Sequence, residues 1–109
     1  MKKTILIDLD GVLNEYTGNY DENIIPPIKN GASDFLKELS QNFIVKIFTT
    51  RELQKASEWV SSNNLNQFVT GITNIKEPAY LTLDDRCINF DGNYENSLEK
   101  IKNFKVWYK

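Results

Sequence analysis

No histidine occurs in this 109-residue chain, and cysteine, methionine and proline are scarce, at one, one and three residues. Without histidine, the usual zinc sites and the Ser-His and Cys-His nucleophile systems are excluded. With Cys87 as the sole thiol, no internal disulfide can form. No apolar stretch approaches the roughly 20 residues of a membrane-spanning helix, and the run after Lys2-Lys3 is too short for a signal peptide. A cytoplasmic protein with no membrane association is therefore expected. Nor does either charge dominate. Thirteen basic against 15 acidic residues leave a formal charge of −2, which gives no electrostatic footprint for nucleic acid or an anionic membrane. Internal repeats, linkers and low-complexity segments are missing as well. Residues 1–109 should form one small domain around a single core. Any hydrolytic chemistry in such a chain must rest on carboxylates, hydroxyls, lysines and a bound metal.

What is present begins with Ile5-Leu6-Ile7-Asp8-Leu9-Asp10-Gly11-Val12, an apolar run that ends in two carboxylates two residues apart and then a glycine. A buried parallel strand delivers its last side chains to the crevice at its carboxyl end, where open α/β sheets bind ligands. Asp8 can serve there as nucleophile or metal ligand, with Asp10 beside it as acid and base. Gly11 lets the backbone turn sharply and lets a phosphate approach main-chain N–H groups. Alone, the motif fits equally well two aspartates that cap a turn and face water. Two further runs end in groups of the same chemistry. Phe43-Ile44-Val45-Lys46-Ile47-Phe48 leads into Thr49-Thr50-Arg51, and Tyr80-Leu81-Thr82-Leu83 leads into Asp84-Asp85-Arg86, with Lys76 shortly before. Side by side in one parallel sheet, these runs gather four acids, a hydroxyl and an ammonium on one edge.

Between the strands, apolar residues recur at helical spacing. Ala32, Phe35, Leu36 and Leu39 do so after Asn30, a candidate N-cap, and Leu53, Ala56, Trp59 and Val60 after Thr50. Tyr94, Leu98 and Ile101 repeat the pattern after Asn93. All three stripes, Trp59 included, read as core. The tail Lys105-Val106-Trp107-Tyr108 reads as an added edge strand or as a cover on the core. The order of elements favours an α/β layered fold with a mostly parallel sheet.

In this order of motifs the chain resembles the haloacid dehalogenase-like hydrolase superfamily, whose members carry Asp-x-Asp-Gly, a Thr or Ser after the second strand, a Lys, and an acidic pair. The matches are Asp8-Leu9-Asp10-Gly11, Thr49, Lys76 and Asp84-Asp85, and the resemblance covers residues 4–90. It implies a Rossmann-like three-layer sandwich with a mostly parallel central sheet. One departure stands out. Family members usually have a helix between the third and fourth strands, whereas only residues 74–79 separate the short apolar stretch at 68–72 from the next strand, and a parallel crossover usually needs about a dozen residues. Either that stretch is not a parallel strand, or the fold is reduced.

The resemblance further implies a Mg²⁺-dependent phosphatase acting on phosphate monoesters through an aspartyl-phosphate. Asp8 would be the nucleophile and Asp10 the acid and base, with Thr49 and Lys76 holding the phosphoryl oxygens. Asp8, Asp84 and the main-chain carbonyl of Asp10 would hold the metal, with Asp85 as a ligand or a support behind one. Gly11, Thr50, Arg51 and Arg86 are candidates for substrate contacts, and the two arginines fit pairing with nearby acids at least as well. An aspartate at the position of Asp10 separates phosphatases from the family's dehalogenases, phosphonate-cleaving members and transport ATPases. The irregular stretch at 13–29 leaves the first strand directly and should border the site. Larger relatives insert a cap domain there or after the second motif, and neither place has room for one. The crevice should thus be open, suited to bulky substrates or to cover by a second subunit in a homo-oligomer. Tyr16 and Tyr20 in that stretch fit packing better than stacking on a sugar or base, and Glu15, Asp21 and Glu22 argue against a polyanionic substrate. Two other classes compete: a receiver-like phospho-accepting signalling module, and a silent binding protein on the same fold. A receiver, however, places its acidic pair first and its Lys last, the reverse of the order here.

Overall fold

The computed structural model describes residues 2–106. Four strands, β1 (Lys3–Asp8), β2 (Phe43–Phe48), β3 (Gly71–Thr73) and β4 (Leu81–Leu83), and three helices, α1 (Ala32–Ser40), α2 (Leu53–Ser62) and α3 (Tyr94–Lys102), follow in the order β1 α1 β2 α2 β3 β4 α3. The sheet runs β3-β2-β1-β4 and every pairing is parallel. In β1, Ile5, Leu6 and Ile7 are all buried, as a central strand covered on both faces requires. Ile7 lies between Ile47 of β2 and Leu83 of β4, and Asp8 lies beside Phe48. That register sets the first residues after β2 and β4, Thr49 and Asp84, next to Asp8 at one edge.

Both α1 and α2 pack on one face. Ala32 and Leu36 of α1 and Ala56, Trp59 and Val60 of α2 share a buried cluster with Ile5, Ile7, Val45 and Ile47. Helices of nine or ten residues are marginal alone in water, so this burial, at about 1.5–3 kcal/mol for each large side chain, is what holds them. Asn30 is not the cap of α1. Gly31 holds that position at φ 91°, a left-handed turn that disfavours any side chain, and no side chain caps the helix. Asn93 does cap α3, its side chain accepting the Asn96 N–H at 3.0 Å. The stripe it introduces is not core, however. Tyr94, Leu98 and Ile101 are exposed and α3 buries no residue.

The stretch at 68–72 does lead into a parallel strand, β3, paired with β2. Residues 74–80 then cross back to β4 without a helix, tied to the sheet by an ion pair between Lys46 and Glu77 at 2.8 Å. Seven extended residues reach roughly 25 Å, enough for the roughly 14 Å across three strand spacings and the roughly 10 Å back along a short strand. The dozen-residue expectation assumes an inserted helix, and here none is inserted. Residues 13–29 form a folded flap, closed at its base by Glu15 N–H to Pro27 O (2.9 Å) and Lys29 N–H to Leu13 O (2.8 Å). The Trp59 indole donates to Pro26 O at 3.1 Å and docks the flap on α2. Among the described residues no helix is long and apolar enough to cross a membrane. Lys105 and Val106 carry no regular structure, and Trp107 and Tyr108 of the tail lie outside the described residues.

Candidate active site

The carboxyl edge of the sheet opens into a cleft of about 420 Å³ lined by Asp8, Asp10, Tyr16, Tyr20, Phe48, Thr49, Thr50, Asp84 and Arg86. Three strand ends and the flap thus bring six of the sequence-derived candidates to one place. Asp8, Asp84 and Asp85 each bring a carboxylate oxygen within 4.8 Å of the others. Burial, and then repulsion from Asp84, Asp85 and Asp10, push the pKa of Asp8 from 3.8 up to about 8, with Arg86 partly opposing. Gly11 faces the same cluster. It has φ 89°, and a Cβ there would run into the Asp85 carboxylate, so both its conformation and its neighbour demand glycine. Asp84 Oδ1 accepts the Arg86 N–H at 3.0 Å, which fixes the turn after β4.

Asp10 is held differently. Arg51 Nε donates to its Oδ1 and Oδ2 at 3.1 and 2.9 Å, and Arg51 Nη2 donates to Oδ1 at 3.0 Å. Asn14 Nδ2 adds a third bond to Oδ1, also at 3.0 Å. Oδ1 is therefore saturated, and Oδ2, with one donor, is the oxygen left for exchange with a substrate. Arg51 is only 2% exposed. Its Nη1 donates to Asp21 O in the flap at 2.8 Å, and the Tyr20 ring covers its guanidinium at 4.7 Å. Of the two readings open for Arg51, the structure places it in a buried pair with Asp10, outside the cleft lining. Arg86 is exposed and faces the cleft and Asp8.

Thr49 is buried and lines the cleft, its Oγ1 accepting the Arg51 N–H at 3.1 Å. Lys76 stands apart from the cleft lining. It borders a neighbouring cavity of about 150 Å³ that shares Phe48 and Asp84 with the cleft. Tyr16 and Tyr20 line the cleft, and the Tyr20 ring also lies on the Arg51 guanidinium.

Two asparagines escaped the sequence reading. Asn14, fully buried, accepts from Gly11 N–H and Tyr16 N–H, both at 3.1 Å, while holding Asp10. Asn74 donates from Nδ2 to the carbonyls of Thr49 and Arg51, and so ties the loop after β2 to the end of β3. The available signal was only local: an Asn three residues past a glycine turn can reach back to its N–H. The donor set of Asp8, Asp84 and Asp85 is all carboxylate oxygen with no soft ligand, which fits a hard divalent cation such as Mg²⁺. No protein-family model, curated protein or solved structure matches this chain.

Proposed function

We propose that this chain is a magnesium-dependent phosphatase of the haloacid dehalogenase-like type, which hydrolyses phosphate monoesters through an aspartyl-phosphate on Asp8. The observation that carries the reading is the convergence of Asp8, Asp84 and Asp85 within 4.8 Å, beside an Asp10 fixed by Arg51 and Asn14. Three carboxylates this close repel one another, and holding a cation is the use that repays the arrangement. Asp8, Asp84 and Asp85 would hold Mg²⁺, which when bound offsets the negative charge of the phosphoryl group. An Asp8 carboxylate oxygen attacks phosphorus as the ester P–O bond breaks, and Asp10 gives the departing oxygen a proton from Oδ2. Asp10 then takes a proton from water, whose oxygen attacks phosphorus and frees Asp8 and inorganic phosphate. Thr49 and Arg86 line the space the phosphoryl oxygens would occupy, and Lys76 approaches it from the side of Asp84.

The sheet order supports this reading over a receiver. Receivers share the flavodoxin-like order 2-1-3-4-5, whereas the order here is 3-2-1-4. The test is phosphate release by purified protein with Mg²⁺ from an aryl phosphate and from a panel of sugar, nucleotide, lipid and protein phosphate monoesters. Multiple turnovers in the parent and none in Asp8→Asn are expected. A parent that releases no phosphate from any panel member, or no more than one equivalent, would overturn the phosphatase reading.

A further inference from the structure

Tyr20 stands between a buried cation and the open cleft. Its ring lies over the Arg51 guanidinium, whose Cζ is 4.7 Å from the ring centre. Arg51 is 2% exposed and outside the cleft lining, whereas Tyr20 is 53% exposed and part of that lining. One face of the ring is therefore spent on Arg51, and the opposite face looks into the cleft. The ring is also held in place before any ligand arrives. Arg51 Nη1 donates to the carbonyl of the next residue, Asp21, at 2.8 Å, and Lys55 Nζ donates to Asn23 Oδ1 at 2.9 Å. A platform fixed in this way costs a ligand little ordering entropy to use.

The position of the ring relative to Asp10 decides which part of a substrate it meets. The guanidinium beneath Tyr20 is the one that grips Asp10 through Nε and Nη2, so ring and carboxylate share one side of the cleft. Asp10 in its proposed role protonates the departing oxygen, and the group attached to that oxygen extends along this side. Charge then narrows the chemistry of that group. A cation on one face draws π density away from the other, which leaves a poor seat for a second cation and a better one for a stacked π system. Glu15, Asp21 and Glu22 of the flap are exposed and repel an anionic group. A neutral planar ring meets both conditions. At about 420 Å³ the cleft is near the small end of ligand pockets, with room for a phosphoryl group and one such ring system.

We propose that the substrate is a phosphate monoester whose leaving group carries a neutral planar ring, that of an aryl alcohol or a nucleoside, and that this ring stacks on the cleft face of Tyr20. This assignment of the substrate's two ends rests on the phosphatase reading, and the test therefore reads binding rather than turnover.

Phosphonates occupy a phosphate ester's place without being hydrolysed. Isothermal titration calorimetry of the full chain with Mg²⁺ compares benzylphosphonate with cyclohexylmethylphosphonate, which differ in planarity at nearly equal size. Benzylphosphonate should bind about three- to tenfold more tightly, the scale of an aromatic pair beyond its buried area. Tyr20→Phe should keep that preference and Tyr20→Leu should abolish it. Affinity of Tyr20→Leu for methylphosphonate, which has no ring, should stay within about twofold of the parent's, because the phosphoryl end of the site is untouched. A nucleoside 5′-phosphonate in the same titration separates the two sources of the ring: tighter binding than benzylphosphonate assigns a nucleoside, and weaker binding an aryl alcohol. Equal affinity of the parent for the benzyl and cyclohexylmethyl compounds would overturn the proposal. So would a Tyr20→Leu variant that keeps the preference, or one that loses methylphosphonate as severely as benzylphosphonate, since Tyr20 would then only support Arg51. A parent that prefers the benzyl compound yet releases no phosphate from any ester would refute the phosphatase reading and uphold the stacking face, and turnover without the preference would do the reverse.

Discussion

The sharpest consequence of the acidic cluster is that its central residue should destabilise the metal-free protein. Asp8 titrates near 3.8 in an unfolded chain and near 8 in the folded one. A carboxyl with the higher pKa in the folded state binds its proton more tightly there. Folding is thus undisturbed by Asp8 below about pH 4, loses stability as pH rises from there, and levels off above about pH 8. At about 1.4 kcal/mol for each tenfold step in proton affinity, the full difference caps the loss at roughly 6 kcal/mol. Asp8 is only partly buried, so water and counter-ions screen the repulsion, and a loss of about 2–3 kcal/mol is expected. Asp8→Asn keeps the shape and removes the ionisation. In EDTA at pH 8 the variant should melt about 8–12 °C above the parent, and near pH 4 the two should coincide. Saturating Mg²⁺ should raise the parent's melting temperature at pH 8 and close most of the gap, because a ligand of the folded state stabilises it in proportion to its binding. The assay is differential scanning calorimetry across this pH range, with and without Mg²⁺. A variant no more stable than the parent at pH 8, or a gain equal at pH 4 and pH 8, would refute the argument from mutual repulsion.

Three other substitutions probe the rest of the site. Asp10→Asn should slow turnover by roughly 10²–10⁴-fold, most for alkyl phosphates, whose poor leaving groups need the proton; equal losses for aryl and alkyl substrates would count against that role. Arg51→Met leaves Asp10 without its main partner and detaches the flap at Asp21, so stability should fall by about 3–5 kcal/mol in chemical denaturation, whereas a change under about 1 kcal/mol would show the pair contributes little. Gly11→Ala strains a φ of 89° and presses on Asp85. It should raise the Mg²⁺ concentration for half-maximal stabilisation at least about tenfold, and calorimetric titration showing unchanged affinity would dissociate Asp85 from the metal site.

Much of the site was legible because its chemistry sits at strand ends, where residue order maps directly onto position. Asp8, Thr49 and Asp84 each follow an apolar run in the chain, and the parallel register turns that shared grammar into one edge. The absence of histidine and the single cysteine likewise narrowed the chemistry before any fold was known. The burial of the stripes in α1 and α2 also followed from spacing, since helices that short need an apolar face to persist. The same spacing misled for α3, because periodicity says that a helix has an apolar side and not what covers it.

What only the tertiary structure decided depends on contacts distant in sequence. Arg51 was open to two readings until a buried pair formed across 41 residues with Asp10. Asn14 and Asn74 do their work through backbone groups that no composition reveals. The helix-free return from β3 to β4 was undecidable from length alone, since seven residues suffice only when the chain stays extended and the strands stay short. Residue type at strand ends is a one-dimensional property, and it determined which groups the chain has for chemistry. Which of them face the cleft and which are spent holding one another is set by packing, and packing exists only in three dimensions.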